Sequence, residues 1–161
     1  MVPGIMSQQM TGKAGQFMEM ALGEAAEAAL REEVPVGAVV VDPQTNQVLA
    51  AAGNRTEEMA DATAHAEMLV LREAAKAFGG ARLFGCDLYV TLEPCPMCAQ
   101  AISLCRIRRL YYGASDPKSG GVENGPYIFD QPTCHHKPEV YSDIDEVRAA
   151  RMLSDFFAER R

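Results

Sequence analysis

The chain has 161 residues, 48% of them hydrophobic and 23% charged, with a formal net charge of −7. This composition suits one soluble domain without a secretory signal, and no apolar run approaches the roughly 20 residues that span a bilayer. The acidic balance excludes a broad nucleic-acid-coating surface but allows a small basic mouth, and five cysteines without a signal peptide favour a cytoplasmic protein with reduced thiols.

In chain order, residues 1–13 are interpreted as a flexible leader and residues 14–161 as a single domain. Apolar residues at four-residue steps predict an amphipathic helix over 14–33. Two apolar runs separated by the turn DPQTN predict an antiparallel hairpin over 35–53. A second helix is expected to begin near Thr63 and to stop at Gly79 and Gly80.

The second half continues with a predicted strand over 86–92, a helix over 98–105 and a strand over 107–113. Residues 114–141 are rich in Gly, Pro, Ser and Asn, which predicts a long functional loop with a short strand near Glu139–Tyr141. An amphipathic helix over 143–160, with Val147, Met152 and Phe156 among its apolar positions, closes the chain. Strands that alternate with helices after a hairpin predict a three-layer α/β domain with a mixed sheet.

Cys95 and Cys98 lie three residues apart at the start of the third predicted helix, flanked by prolines. This spacing places both sulfurs on one face of the first turn, where the helix dipole favours thiolates. Two such thiolates form half of a zinc site. A redox Cys-x-x-Cys is the competing interpretation, but it explains neither His65 nor Glu67.

His65 and Glu67 are two residues apart and therefore cannot share a helix face. Both can approach one metal only if the metal lies beyond the helix end, so that the site faces two helix N-termini. His65, Cys95 and Cys98 would supply three zinc ligands and leave a fourth position open, as in catalytic zinc sites. Glu67 then remains available for proton transfer.

The remaining thiols and imidazoles are tested as further ligands. Cys105 lies two helical turns, about 10 Å, from Cys98 and is too far away. Cys86 is expected in the core. The triplet of Cys134, His135 and His136 is either a second metal site or, as we favour, a loop with local pairing.

These motifs resemble the bacterial tRNA adenosine deaminases of the zinc-dependent cytidine and deoxycytidylate deaminase superfamily, which convert the wobble adenosine of an anticodon to inosine. The resemblance runs from about residue 17 to the end, through EVPVGAVVV, DATAHAEM, LYVTLEPCPMC, RIRRLYYGASDPKSG and LSDFFAERR. His-x-Glu followed by Pro-Cys-x-x-Cys is the signature of the zinc-dependent nucleobase deaminases. The resemblance implies a cytidine-deaminase-like α/β/α fold with a five-stranded mixed sheet, one zinc per subunit, a homodimer and a tRNA anticodon stem-loop as substrate.

The resemblance also assigns residues to roles. Zinc ligands would be His65, Cys95 and Cys98, and Glu67 would carry protons between the attacking water and N1 of adenine. Asn54 would hydrogen-bond the target nucleoside. The base pocket would be lined by Val36, Ala66 and Leu92. The flanking RNA would be contacted by Asp116, Lys118, Phe157 and Arg160.

Two rival functions stay open at this point: a deaminase of a free base such as guanine or cytosine, and a zinc-stabilised binding module without activity. A structural module normally closes its zinc with four protein ligands, whereas three are available here. Arg106, Arg108 and Arg109 are equally consistent with phosphate contacts and with a solvated strand end. Phe156 and Phe157 are adjacent on a helix, so at least one is expected in the core.

Overall fold

A five-stranded sheet with helices on both faces makes up the computed structural model, which describes residues 12–161. The elements in chain order are α1 (Lys13–Leu30), β1 (Gly37–Asp42), β2 (Gln47–Gly53), α2 (Ala66–Phe78), β3 (Asp87–Leu92), α3 (Pro96–Leu104), β4 (Arg109–Ala114), a 3₁₀ turn (Ile128–Asp130), β5 (Glu139–Tyr141) and α4 (Glu146–Ala158). Among the described residues, no helix has the length and apolarity needed to cross a membrane.

The strand order is β2-β1-β3-β4-β5. β1 pairs antiparallel with both β2 and β3, while β3, β4 and β5 run parallel. The predicted hairpin, the mixed sheet and the short strand at Glu139–Tyr141 are therefore confirmed.

The two faces of the sheet carry separate cores because successive side chains of a strand point to opposite faces. Val39, Tyr89 and Tyr111 pack with α1 and α4, whereas Val40 and Leu88 pack with α2 and α3. This arrangement is the predicted three-layer α/β/α architecture.

Several helix bounds differ from the prediction. α1 ends at Leu30 instead of residue 33, and the turn that follows places Glu32 at a positive φ of 65°. α1 begins at Lys13, inside the predicted leader, whose other residues lie almost wholly outside the described part of the chain. In α4, Phe156 is buried as expected, but Val147 is 64% exposed and does not face the core.

α2 begins at Ala66, three residues later than predicted, because the backbone of His65 is extended, with φ −72° and ψ 150°. It ends where expected, at Gly79, whose φ of 85° lies in the left-handed region that glycine adopts without penalty. His65 is thus the N-cap residue of α2 rather than part of its first turn. This late start is what allows His65 and Glu67 to face the same point.

Candidate active site

Two helices start at the same place, and the predicted ligands lie at their first residues. His65 is the N-cap residue of α2, and Cys95 is the N-cap residue of α3, with an equally extended backbone at φ −69° and ψ 170°. Pro96 occupies the first position of α3, where no backbone donor is lost. The site thus faces two positive helix ends, as the spacing predicted.

The side chains of His65, Cys95 and Cys98 form a triangle whose ligand atoms lie within 4.8 Å of one another. His65 Nδ1 is 3.5 Å from Cys98 Sγ and 3.7 Å from Cys95 Sγ. Tetrahedral zinc bonds of about 2.3 Å to sulfur and about 2.0–2.1 Å to nitrogen would place these atoms about 3.6 Å apart. The triangle therefore fits a single Zn²⁺.

The pKa values of the Cys95 and Cys98 thiols are shifted in opposite directions. A hydrogen bond from Cys98 lowers the pKa of Cys95 to about 4, further helped by the hydrogen bond with His65. The same bond raises the pKa of Cys98 well above its usual range, together with burial. The hydrogen bond to Cys95 also raises the pKa of His65. Cys95 is thus ready as a thiolate ligand, and a bound cation would displace the Cys98 proton as well.

Glu67 lies in the first turn of α2, 4% exposed, beside the ligand triangle. Burial raises its pKa to about 7, against the effect of its own backbone N–H and of His65. A general acid–base group works best with a pKa near the working pH. The charge of a bound Zn²⁺ acts in the opposite direction and favours the carboxylate.

Asn54 joins the end of β2 to the start of α2. Its Oδ1 accepts a 2.8 Å hydrogen bond from the backbone N–H of Ala66. The backbone N–H of Asn54 donates to the Val36 carbonyl at 3.1 Å. The first amides of a helix need partners from outside the helix, and Asn54 supplies one. Asn54 also lines the pocket described next, so the amide nitrogen is the side-chain group that remains for a ligand there.

A pocket of about 240 Å³ lies over the site. Seven predicted residues line it: Val36, Asn54, His65, Glu67, Leu92, Cys95 and Asp116. Ala66 is not among the lining residues; it is fully buried in the core and serves the site through its backbone N–H. Four further lining residues were not predicted from the sequence: Val34, Thr56, Glu93 and Ser119.

An open groove of about 670 Å³ adjoins the pocket and shares with it Val34, Leu92, Asp116 and Ser119. The four residues predicted to face RNA all line this groove: Asp116, Lys118, Phe157 and Arg160. Phe157 is 47% exposed, while its neighbour Phe156 is buried.

The guanidinium of Arg160 is held on three sides. It lies 3.4 Å from the centroid of the Phe156 ring, donates to the Phe156 carbonyl and pairs with Glu32. These contacts fix the side chain at the edge of the groove. A phosphate there would have to compete with the Glu32 carboxylate.

Two buried carboxylates near the pocket were not foreseen. Glu33 is 1% exposed and accepts hydrogen bonds from the backbone N–H groups of Glu57 and Glu58. Glu93 is 2% exposed and binds the segment after β4. The available signal was an acidic residue next to an apolar strand, in EVPV and LEPC, since such a charge is buried only when it is well hydrogen-bonded.

The basic strand end pairs within the protein. Arg108 makes two bonds to Asp87 at 2.9 and 2.6 Å, and Arg109 pairs with Glu139 at 2.8 Å. Arg106 donates to the Ser103 carbonyl. These contacts give all three arginines a structural role.

The triplet at residues 134–136 pairs with the end of α3 and with the turn that follows it. Cys134 Sγ lies 3.2 Å from Ser103 Oγ, and His136 Nε2 lies 2.7 Å from the Ile107 carbonyl. Within residues 12–161, the ligand triangle of His65, Cys95 and Cys98 is the single group of three or more His, Cys, Asp or Glu arranged to hold a metal. The favoured interpretation of the triplet as a loop is thus the one that the structure supports. Cys105 follows the last residue of α3, and Cys86 is buried in the core, as expected.

The family model of the cytidine and deoxycytidylate deaminase zinc-binding region matches residues 11–114. This match, the α/β/α fold and the ligand triangle together define a zinc-dependent deaminase.

Similarity to individual proteins identifies the family within the zinc-dependent deaminases. The chain is 59% identical over 145 residues to the tRNA-specific adenosine deaminase of Agrobacterium fabrum, covering 90% of this chain and 94% of that relative. A solved structure from a study of A-to-I editing by tRNA:A34 deaminases at the wobble position of transfer RNA matches with TM-score 0.83 and 59% identity, over 86% of this chain and 99% of that one. Guanine deaminase from Bacillus subtilis matches with TM-score 0.60 and 30% identity, over 90% and 92%. The chain belongs to the family of the tRNA-specific adenosine deaminases.

Proposed function

We propose that this chain converts adenosine to inosine at the wobble position of a tRNA anticodon, with release of ammonia. The observation that carries the proposal is the continuity of two surfaces. The pocket lined by His65, Cys95 and Glu67 opens into the groove that holds Asp116, Lys118 and Phe157. A base that enters the pocket would leave its flanking nucleotides in the groove. Residues 14–161 would form the single domain that does this.

The residues divide the chemistry among themselves. His65, Cys95 and Cys98 would hold Zn²⁺, which when bound supplies an activated water at neutral pH. Glu67 lies in the same pocket outside the ligand triangle, so its carboxyl can take a proton from the attacking water and deliver it to N1 of adenine. Asn54 would orient the nucleoside through its amide nitrogen, and Leu92 would pack against the base.

A deaminase of a free base is the rival function. The structural match to a guanine deaminase supports it, because that enzyme has a related fold. The groove favours the tRNA substrate because a free base would use the pocket alone. Its exposed Phe157 offers a ring on which a loop base can stack, a contact worth about 1–3 kcal/mol.

The deciding experiment compares substrates on the purified zinc-loaded protein. Ammonia release is measured with an anticodon stem-loop that carries adenosine at the wobble position, and with free adenine, guanine, cytosine and adenosine. The same stem-loop with guanosine at that position is the matched control. We expect turnover of the adenosine stem-loop far above all others. Turnover of a free base with the stem-loop untouched would establish the rival function.

We also propose that the protein works in the cytoplasm as a homodimer, as the family resemblance implies. Leu30, Phe84 and Leu104 are 78%, 64% and 59% exposed in the single chain, and burial of such side chains would drive association. Light scattering after size-exclusion chromatography measures the mass: about twice 17.5 kDa is expected, and the mass of one chain would contradict the homodimer.

A further inference from the structure

Glu93 is a buried carboxylate between β3 and the zinc ligand Cys95, and both of its oxygens are occupied. The donors all belong to one segment, residues 115–124, called here the wall loop. Oε1 accepts from Asp116 N at 3.0 Å, Asn124 Nδ2 at 2.7 Å and Ser115 Oγ at 3.4 Å, and Oε2 accepts from Val122 N at 3.1 Å and Glu123 N at 3.0 Å. One side chain therefore holds both ends of the wall loop.

Asp116 passes this anchoring on to the residues that line the groove. Its Oδ1 accepts from the backbone N–H groups of Lys118 at 3.2 Å and Ser119 at 3.0 Å. Its carbonyl accepts from Gly120 N at 2.9 Å. The position of Lys118 and Ser119 in the groove thus depends on Asp116, and that of Asp116 depends on Glu93.

Two glycines bring the wall loop close to the zinc site. A side chain at Gly120 would clash with the Glu93 carboxylate, and a Cβ at Gly121 would lie 2.6 Å from Pro96 N. Gly121 N also donates to the Pro94 carbonyl at 2.8 Å. The wall loop is therefore packed directly on the turn that carries Cys95.

We propose that Glu93 is a positioning residue that sets the grip on RNA flanking the target base. It acts by holding the wall loop at the junction of the pocket and the groove, which both include Asp116 and Ser119. The nature of the ligand rests on the proposed function, whereas the anchoring of the wall loop does not. Each carboxylate oxygen meets at least two donors, so an amide nitrogen at either position faces N–H groups that it cannot accept.

The test uses Glu93→Gln, the milder Asn124→Ala and the control Gln131→Ala. Asn124→Ala removes one donor to Glu93 and one to Ser115, and leaves the backbone donors in place. Gln131 lies outside the wall loop, is exposed and donates to the Pro126 carbonyl, so its loss matches the loss of a surface hydrogen bond. Zinc content, hydrogen–deuterium exchange of residues 115–124, and kcat and KM for the anticodon stem-loop are measured for each zinc-loaded variant.

We expect Glu93→Gln to keep its zinc, to exchange faster throughout the wall loop and to raise KM about tenfold with a much smaller change in kcat. Asn124→Ala should also increase exchange of the wall loop and raise KM, but by less. Gln131→Ala should have the exchange and KM of the wild type. If Glu93→Gln loses zinc, Asn124→Ala decides, because it removes one anchoring hydrogen bond and leaves the Glu93 carboxylate beside Cys95 unchanged.

Unchanged exchange in the variants, or a fall in kcat without a rise in KM, would overturn the inference. A wild-type protein inactive on the stem-loop would instead refute the proposed function, and the exchange data would still show whether Glu93 anchors the wall loop.

Discussion

The side-chain oxygen of Asn54 caps the first turn of α2 by accepting from Ala66 N at 2.8 Å. This bond links the residue expected to orient the nucleoside to the helix that carries Glu67. Asn54 thus has two separable tasks, and two substitutions can distinguish them.

Asn54→Ala removes both tasks, whereas Asn54→Asp keeps the acceptor for Ala66 N and replaces the amide nitrogen. An unpaired buried N–H costs about 1–3 kcal/mol, so Asn54→Ala should lower the free energy of unfolding and activity together. Asn54→Asp should stay near wild-type stability, since a carboxylate is favourable at a helix N-terminus, and yet raise KM. Urea unfolding and steady-state kinetics measure the two effects. A wild-type KM for Asn54→Asp would show that the amide nitrogen does not contact substrate.

Glu67→Gln should leave the fold and the zinc content nearly unchanged and lower turnover by about 10²- to 10⁴-fold, because proton transfer by a positioned group contributes about that much. The physical reason is that the carboxyl of Glu67 lies outside the ligand triangle. Zinc analysis and single-turnover kinetics measure the two properties on one sample. Loss of metal in the variant would make Glu67 a ligand and overturn the division of roles.

The zinc-loaded protein should contain about one zinc per chain, bound by one nitrogen and two sulfurs with an open fourth position. X-ray absorption spectroscopy checks the ligand set. Cys95→Ser should lose zinc affinity, while Cys105→Ser is the matched control, since Cys105 lies at the far end of α3. Four sulfur or imidazole ligands in the spectrum would indicate a closed structural site instead.

Glu33 should make the free energy of unfolding depend on pH in the acidic range. Burial alone would raise its pKa, but hydrogen bonds from Glu58 N, Glu57 N and Thr56 outweigh burial and lower it below 4.5. A carboxyl with a lowered pKa stabilises the folded state above the unfolded value, and that contribution disappears as the pH falls through the folded pKa.

Glu33→Gln should therefore be less stable by about 1–3 kcal/mol at pH 7, and the difference from wild type should shrink below pH 4.5. Urea unfolding of both proteins between about pH 3 and pH 7 measures this difference in the free energy of unfolding. A difference that stays constant across the range would assign the effect to packing instead of charge.

RNA binding should weaken as salt rises, with a shallow slope because few basic side chains line the groove. Lys118→Ala should reduce that slope by about 0.7–0.9, the value for one phosphate contact. Lys137→Ala is the control, since Lys137 pairs with Asp130 and does not line the groove. Equal slopes for Lys118→Ala and wild type would remove Lys118 from the phosphate contacts.

The ligands and the sheet were predictable because their signals are local. Short apolar runs rich in β-forming residues, Gly79 and the Cys-x-x-Cys spacing each specify structure within a few residues. The helix start at Ala66 was missed because His65 is extended to reach the cysteines, a choice that depends on residues about thirty positions away. Glu33 and Glu93 were missed for the same reason: their partners are 22 to 31 positions distant in sequence.

Three tyrosines stack in a row across neighbouring strands on the α1 and α4 face of the sheet. The rings of Tyr89 and Tyr111 are 4.4 Å apart, and those of Tyr111 and Tyr141 are 5.0 Å apart. The chain has no tryptophan and five tyrosines, so this row dominates its near-ultraviolet chromophores. Near-ultraviolet circular dichroism of the protein without RNA therefore reports mainly on the face of the sheet opposite the ligand triangle. The stacked row is thus a built-in optical probe of folding, whose signal should change little when zinc binds.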